Sequence, residues 1–304
     1  MRRLALVLAC LVGGCGPSRA PNPERTDPYL YEDTRRLVRF VEAAAAAVEA
    51  KWTAAFADFS RSEAERKPGE LYLFVYDGDG VNVFHGSKPE LIGKNLSAFR
   101  DLLGKPMVRE VADFARRPEK DAAGWVFYLW EERSEFLPRW KASYVRKAVA
   151  PDGRPYAVGS GSSRLKVEKA WVKERVDLAA QLLRQKGKVA AFTDFRDPAS
   201  PFQFLDTYLF VVDANGRALV DPSYPTRTGR DLGSFRDAVG RLVLGDVTAK
   251  LGMADEAWSQ YLWPRPGETL PSRKALYVRK VVLEGETLYV GSDFFLASPV
   301  WMRH

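Results

Sequence analysis

Apolar residues recur every three or four positions at Leu37, Val41, Ala44, Val48, Trp52, Ala55 and Phe59. This period predicts one amphipathic helix of about 29 residues, roughly 43 Å long at 1.5 Å per residue, with Asp33 placed as an N-cap. The alanine run Ala43–Ala47 within it adds helix propensity. Short segments rich in β-branched and aromatic residues follow at Leu71–Asp77, Val81–Phe84, Gly124–Trp130, Ala142–Ala150 and Pro155–Gly161. Turn residues separate them at Asp77-Gly78-Asp79-Gly80 and Asp152-Gly153, and Leu102–Arg116 reads as an inserted helix. A long helix laid across an antiparallel sheet is an α+β layout.

The same grammar occurs twice. Ala55-Phe56-Ala57-Asp58-Phe59 returns as Ala191-Phe192-Thr193-Asp194-Phe195, and Tyr72-Leu73-Phe74-Val75 returns as Tyr208-Leu209-Phe210-Val211. Tyr128-Leu129-Trp130 matches Tyr261-Leu262-Trp263, and Tyr144-Val145-Arg146-Lys147 matches Tyr277-Val278-Arg279-Lys280. So many matches in order define two copies of one module. The second helix stripe, Leu165, Val172, Val176, Ala179, Leu183 and Ala190, is less regular and is weakened by Gly187.

Composition narrows the chemistry. The chain has 304 residues, a net charge of +7, two cysteines and two histidines. Cys10 and Cys15 both precede the first module, so no disulfide framework or cysteine metal site is expected in the folded part. With His85 the one internal histidine, few catalytic constellations remain, and neither an enzyme nor a cofactor is expected. Ser163-Arg164-Leu165-Lys166 matches a Ser-x-x-Lys pattern only by its four residues, and Asp77-Gly78-Asp79-Gly80 suits a hairpin better than a calcium loop.

Arg2 and Arg3 precede the uncharged stretch Leu4–Val12, too short to span a bilayer, and Gly13-Gly14-Cys15 follows. The ending resembles the lipobox of bacterial lipoproteins, which implies lipidation of Cys15, a signal peptide over residues 1–14 and a mature charge of +5. A simple secretory signal cut near Ala20 is the alternative. Four prolines make residues 15–32 a stiffened tether. The expected location is the bacterial cell envelope, lipid-anchored and facing the periplasm; Gly16 in place of Asp leans towards the outer membrane. Export argues against a nucleic-acid partner.

Residues 33–163 form the first module and 164–304 the second. The helix ending in Ala-Phe-x-Asp-Phe and the strand Tyr-Leu-Phe-Val-x-Asp carry a resemblance, as do Gly93-Lys94-Asn95 and the strand with Gly159-Ser160-Gly161. In these features the chain resembles the extracytoplasmic Cache domain, single-Cache type, present in tandem. The resemblance implies two PAS-like sheets, each with a concave face for an organic acid, amino acid or amine. It implies a sensory role in signal transduction. With no kinase or methyl-accepting segment after His304, a transmembrane receptor or kinase partner is expected to carry the signal.

In each copy a lysine, two tyrosines and a tryptophan recur in one register: Lys141, Tyr128, Tyr144 and Trp130, then Lys274, Tyr261, Tyr277 and Trp263. An ammonium, phenols and an indole on one sheet face would hold a small anion with an apolar body. The competing reading makes the aromatics core and the lysines solvated. Arg100 and Arg236 read as structural ion pairs with Asp101 and Asp237. The family's His-Pro after the second strand is halved here: His85 stands in the first module and Asp221 in the second. This implies an acid-binding first module that tightens at low pH, and a second module that takes an amino-bearing ligand or is a degenerate copy. A ligand-free scaffolding lipoprotein is the alternative function.

Overall fold

A computed structural model describes residues 25–64, 71–131, 136–265 and 267–296. The signal peptide, Cys10, Cys15 and His304 lie outside the described residues. Helices α1 (Glu32–Lys51) and α2 (Thr53–Ala64) lead into β1 (Leu73–Asp77) and β2 (Asn82–His85). Then come α3 (Met107–Arg116), β3 (Ala123–Trp130), β4 (Arg139–Val149) and β5 (Pro155–Ser162). All strand pairs are antiparallel, in the order β2-β1-β5-β4-β3.

The second copy begins with α4 (Lys169–Arg196) and a short β6 (Gln203–Phe204). β7 (Thr207–Asp213), β8 (Ala218–Val220), α5 (Gly245–Leu251), β9 (Glu256–Pro264), β10 (Pro271–Leu283) and β11 (Glu286–Phe295) follow. The order is β6-β7-β11-β10-β9, with β8 on β7. The α+β expectation therefore holds twice over.

The expected single long helix is two. Trp52 takes φ 47° and ψ −123° between α1 and α2. Its indole packs at a tilt against Tyr156, ring centroids 4.0 Å apart, and meets Phe56 edge-on. In α4 the break falls at Gly187, φ 75°, a conformation glycine adopts without steric cost. The inserted helix starts at Met107 rather than Leu102. Asp101 accepts the Leu103 and Lys105 amides, and Gly104 at φ 82° closes a turn where the first helical residues were expected.

Asp33 lies inside the first turn of α1 and caps nothing. Tyr31 is the N-cap residue and makes no side-chain cap bond. Instead Glu168, itself the N-cap of α4, accepts the Leu30 amide at 2.8 Å and the Tyr31 amide at 3.0 Å. A buried carboxylate there complements the partial positive charge of the helix start. Part of the expected tether is thus docked: Arg25 binds Asp121 at 2.5 Å, and Trp125 donates to the Tyr29 hydroxyl at 2.8 Å.

The start of α1 and the β3–β4 side of the first sheet share one core with the helix-facing side of the second sheet, while the rest of the first sheet packs on the end of α1 and on α2 in a core of its own. Trp125 and Phe127 of β3 pack on Trp171 of α4, and Phe127 stacks on Phe204 of β6 at 4.4 Å. The other side of each sheet is covered by the inserted helix. In the first module that layer is Phe74, Tyr76, Val126 and Tyr128 against Met107, Val108 and Val111; in the second it is Phe210, Val212 and Leu276 against Leu244, Val247 and Leu251.

Candidate functional site

Strand alternation divides the expected site residues between two faces. Side chains two apart share a face and those three apart do not. Tyr128 and Trp130 therefore join Lys141, whose Cα is paired with that of Tyr128, while Tyr144 points to the opposite side. Tyr144 donates to Glu42 at 2.9 Å under α1 and stands beside Arg25. In the second module Tyr261 and Trp263 join Lys274, whereas the Tyr277 hydroxyl meets Glu256, Lys173 and Asp177 against α4. Tyr144 and Tyr277 fasten helix to sheet, on the face opposite Lys141 and Lys274, so the structure does not bring the four expected residues of either set together.

The pocket in the second module has about 70 Å³ of free space between the sheet and the loop that precedes α5, which contributes Leu232, Phe235, Val243 and Leu244. Its polar lining includes Tyr208, Asp221, Arg227, Tyr261, Lys274 and Asp293, with Trp263 as part of the apolar wall. Lys274 is buried and lies 2.6 Å from Asp293. Tyr261 donates to the same carboxylate. Burial and the neighbouring Asp293 push the Tyr261 and Tyr208 hydroxyls well above the ordinary tyrosine range, so both stay protonated donors. Asp221 accepts the Tyr224 amide at 3.1 Å and sits 3.8 Å from Arg227. Burial raises its pKa above the ordinary aspartate value despite that guanidinium.

In the first module the corresponding space is about 10 Å³, lined by Tyr72, His85, Met107, Tyr128 and Trp130 among others. That is roughly one water. The Lys141 ammonium bonds the Tyr72 hydroxyl and lies over its ring. Lys88 covers Trp130 at 4.4 Å. His85 is 3% exposed, and its Nδ1 accepts the Lys88 amide at 3.1 Å. Burial, with Lys141 and Lys88 nearby, pushes its pKa down to about 3. It is neutral from pH 5 to 8, which corrects the expected charge change in that range.

One exchange was missed at sequence level. Gly159 pairs with Phe74 and Gly291 with Phe210, so two residues further on Gly161 and Asp293 are equivalent. A Cβ at Gly161 would come 2.1 Å from the Ser143 hydroxyl and 2.9 Å from Lys141 Cε. Ser143 pairs with Gly161, as Leu276 pairs with Asp293. The polar group bonded to the tyrosine hydroxyl has moved across the ladder: Ser143 meets Tyr128 at 2.8 Å, and Asp293 accepts from Tyr261.

A family model for the Cache domain matches residues 55–163, and one for Single Cache domain 2 matches residues 163–295. The chain is a tandem member of the Cache family. Over 74 residues it is 28% identical to the methyl-accepting chemotaxis protein McpP of Pseudomonas putida, a stretch that is 24% of this chain and 14% of that protein. Among solved structures it is similar to a periplasmic sensor domain of a chemotaxis protein, at 24% identity and TM-score 0.33, covering 42% of this chain and 90% of that one. It is also similar to a methyl-accepting chemotaxis protein from Vibrio parahaemolyticus, at 20% identity and TM-score 0.34, covering 43% and 88%. A third is a Cache chemosensory domain whose structure concerns carboxylic acid recognition, at 18% identity and TM-score 0.33, covering 41% and 86%.

Cache modules are extracytoplasmic sensors, and the proteins this chain is similar to are sensor and chemoreceptor domains. Among the described residues no helix is long and apolar enough to cross a membrane, and no group of three or more His, Cys, Asp or Glu could hold a metal ion. Arg100 and Arg236 do not pair as expected. Arg100 donates to the Ser97 and Phe99 carbonyls and Arg236 to the Gly240 carbonyl, while Asp237 is held by Arg241 at 2.9 Å. In both Cache modules the aspartate instead ties its loop to the strand behind the pocket, accepting the amides of Leu129 and Leu262.

Proposed function

We propose that this Cache protein is an extracytoplasmic sensor for a small ligand bearing both an acidic and a basic group, bound in the second module. The supporting observation is the buried Lys274–Asp293 pair facing that pocket, with Asp221 and Arg227 across from it. An amino acid would exchange partners with this set. Its carboxylate would take Lys274 and Arg227, and its ammonium would take Asp293 and Asp221. Because the protein charges are already desolvated and paired, such an exchange leaves no charge stranded, whereas a plain carboxylate would strand Asp293. The indole of Trp263 and Phe210 would cover the apolar part.

In this reading Cys15 carries a lipid that holds the chain at the envelope, and a membrane receptor or kinase partner carries the signal onward. For the first module a second reading is favoured, because a space of about 10 Å³ suits a structural copy rather than a ligand site. A thermal-shift screen of carboxylates, amino acids and amines tests the proposal. A ligand at 100 times its Kd adds about 2.7 kcal/mol, a shift of several degrees. Amino acids should shift the melting temperature and lose that effect in Lys274→Ala. Equal shifts from simple carboxylates, or none from any amino acid, would sink the reading. For the anchor, a fatty-acid probe should label the wild type and spare Cys15→Ser.

A further inference from the structure

Lys105 and Arg241 hold the same place in the two copies, each four residues after the aspartate that closes the loop. Arg241 turns back and pairs with that aspartate, Asp237, at 2.9 Å. Lys105 instead leaves its module. Its ammonium donates to the Gln203 carbonyl at 2.7 Å and lies 5.1 Å from the Trp140 ring. The residue is 1% exposed, and burial pushes its pKa down to about 8. An apolar side chain would fill this space without the desolvation cost, so the position is explained by what the ammonium joins.

On one side stands Asp101, which accepts the Lys105 amide at 2.9 Å and the Leu129 amide at 2.8 Å. Leu129 lies between Tyr128 and Trp130, the wall of the first pocket. On the other side Gln203 is paired across the ladder with Tyr208, which lines the second pocket. A bonded path therefore runs from one pocket wall to the other through a single buried lysine. Phe127 stacked on Phe204 lies alongside this path.

We propose that Lys105 is a positioning residue that couples the two pockets, so that a change at the second module's site alters how firmly β3 is held in the first. The physiological use of this coupling rests on the second pocket being the ligand site, but the coupling is a property of the ligand-free chain. Linkage makes it reciprocal: whatever loosens one wall through Lys105 is felt at the other by the same factor.

Amide hydrogen exchange in the intact folded chain tests it without any ligand. Asp293→Asn, which breaks the buried pair of the second pocket, should speed exchange of the Leu129 amide about tenfold and leave the Val158 amide of β5 within about twofold. In a Lys105→Met background the same substitution should leave Leu129 unchanged. An equal response in both backgrounds, or no response in the wild-type background, would overturn the coupling. Should Lys105→Met fail to fold, Lys105→Gln, whose shorter side chain loses the reach to the Gln203 carbonyl, takes its place, and the same two outcomes apply. Failure of the amino-acid screen leaves this measurement untouched, so the two readings fall separately.

Discussion

The two pockets are built on the same strands and differ in where one polar group is attached. In the first module the hydrogen-bond partner of the pocket tyrosine is the Ser143 hydroxyl on β4, and Gly161 opposite it carries no side chain. In the second the acceptor is Asp293 on β11, and Leu276 opposite it is apolar. This one-rung transfer turns a neutral hydroxyl partner into a carboxylate that pairs with Lys274 at 2.6 Å. At the strand β2 position the change is from a neutral His85 to a buried Asp221. A duplicated frame thus acquires two electrostatic characters on the same strand ladder, and ligand chemistry follows the side chains rather than the fold.

The largest effect should come from forcing the second arrangement on the first. Gly161→Asp places a Cβ into Ser143 and Lys141, and is expected to cost about 4 kcal/mol by chemical denaturation. Adding Ser143→Ala should recover part of that loss; no recovery would mean that the clash lies elsewhere. The reverse exchange, Asp293→Gly, leaves Lys274 buried without its carboxylate, and about 3 kcal/mol should be lost. Acetate should then stabilise this variant and have little effect on the wild type. Identical acetate dependence in the two would break the distinction drawn between the pockets.

Acid should separate the modules next, with opposite signs. His85 has a folded pKa near 3 and an ordinary unfolded one, so between them the unfolded chain binds more protons and stability falls as pH drops below about 6.5. Between pH 7 and 4.5 the loss should be about 2 kcal/mol, and His85→Gln should abolish it. Asp221 has a raised folded pKa, so its contribution is present in acid and is lost as pH rises through the folded value. Asp221→Asn should flatten that opposite slope; slopes of one sign at both positions would refute the comparison. The smallest effect is reserved for the other sheet face. Tyr144→Phe should cost about 1 kcal/mol through its lost bond to Glu42 and leave ligand affinity unchanged.

Much of the fold was legible in the sequence because the repeat is nearly in register: the five strands of the first module and the hairpin turns appear close to where the pattern placed them, and each lysine shares a sheet face with one tyrosine and one tryptophan of its set. Strand parity alone could have removed Tyr144 and Tyr277 from the pockets, since an odd spacing from Lys141 or Lys274 reverses the face. Asp293 was harder to see. The last hairpin of the second module is one residue shorter, so the spacing there becomes 132 and Asp293 aligns with Gly161 only after the ladder is known. The Glu168 contact and the redirected Lys105 join residues far apart along the chain, and no local period reports them. Trp52 fits the helical stripe perfectly well; its packing on Tyr156 overrides that local preference.

Glu168 has a consequence for how the molecule comes into being. A chain is made from its N-terminus, and α1 is complete long before residue 168 exists. Until that carboxylate arrives, the Leu30 and Tyr31 amides lack their acceptor, and until Phe204 arrives the Phe127 ring lacks its stacking partner. The earlier half is therefore left waiting on the later half during synthesis, with apolar surface open to chaperones or to misassembly. A gene fragment ending at residue 163 would preserve that unfinished state permanently.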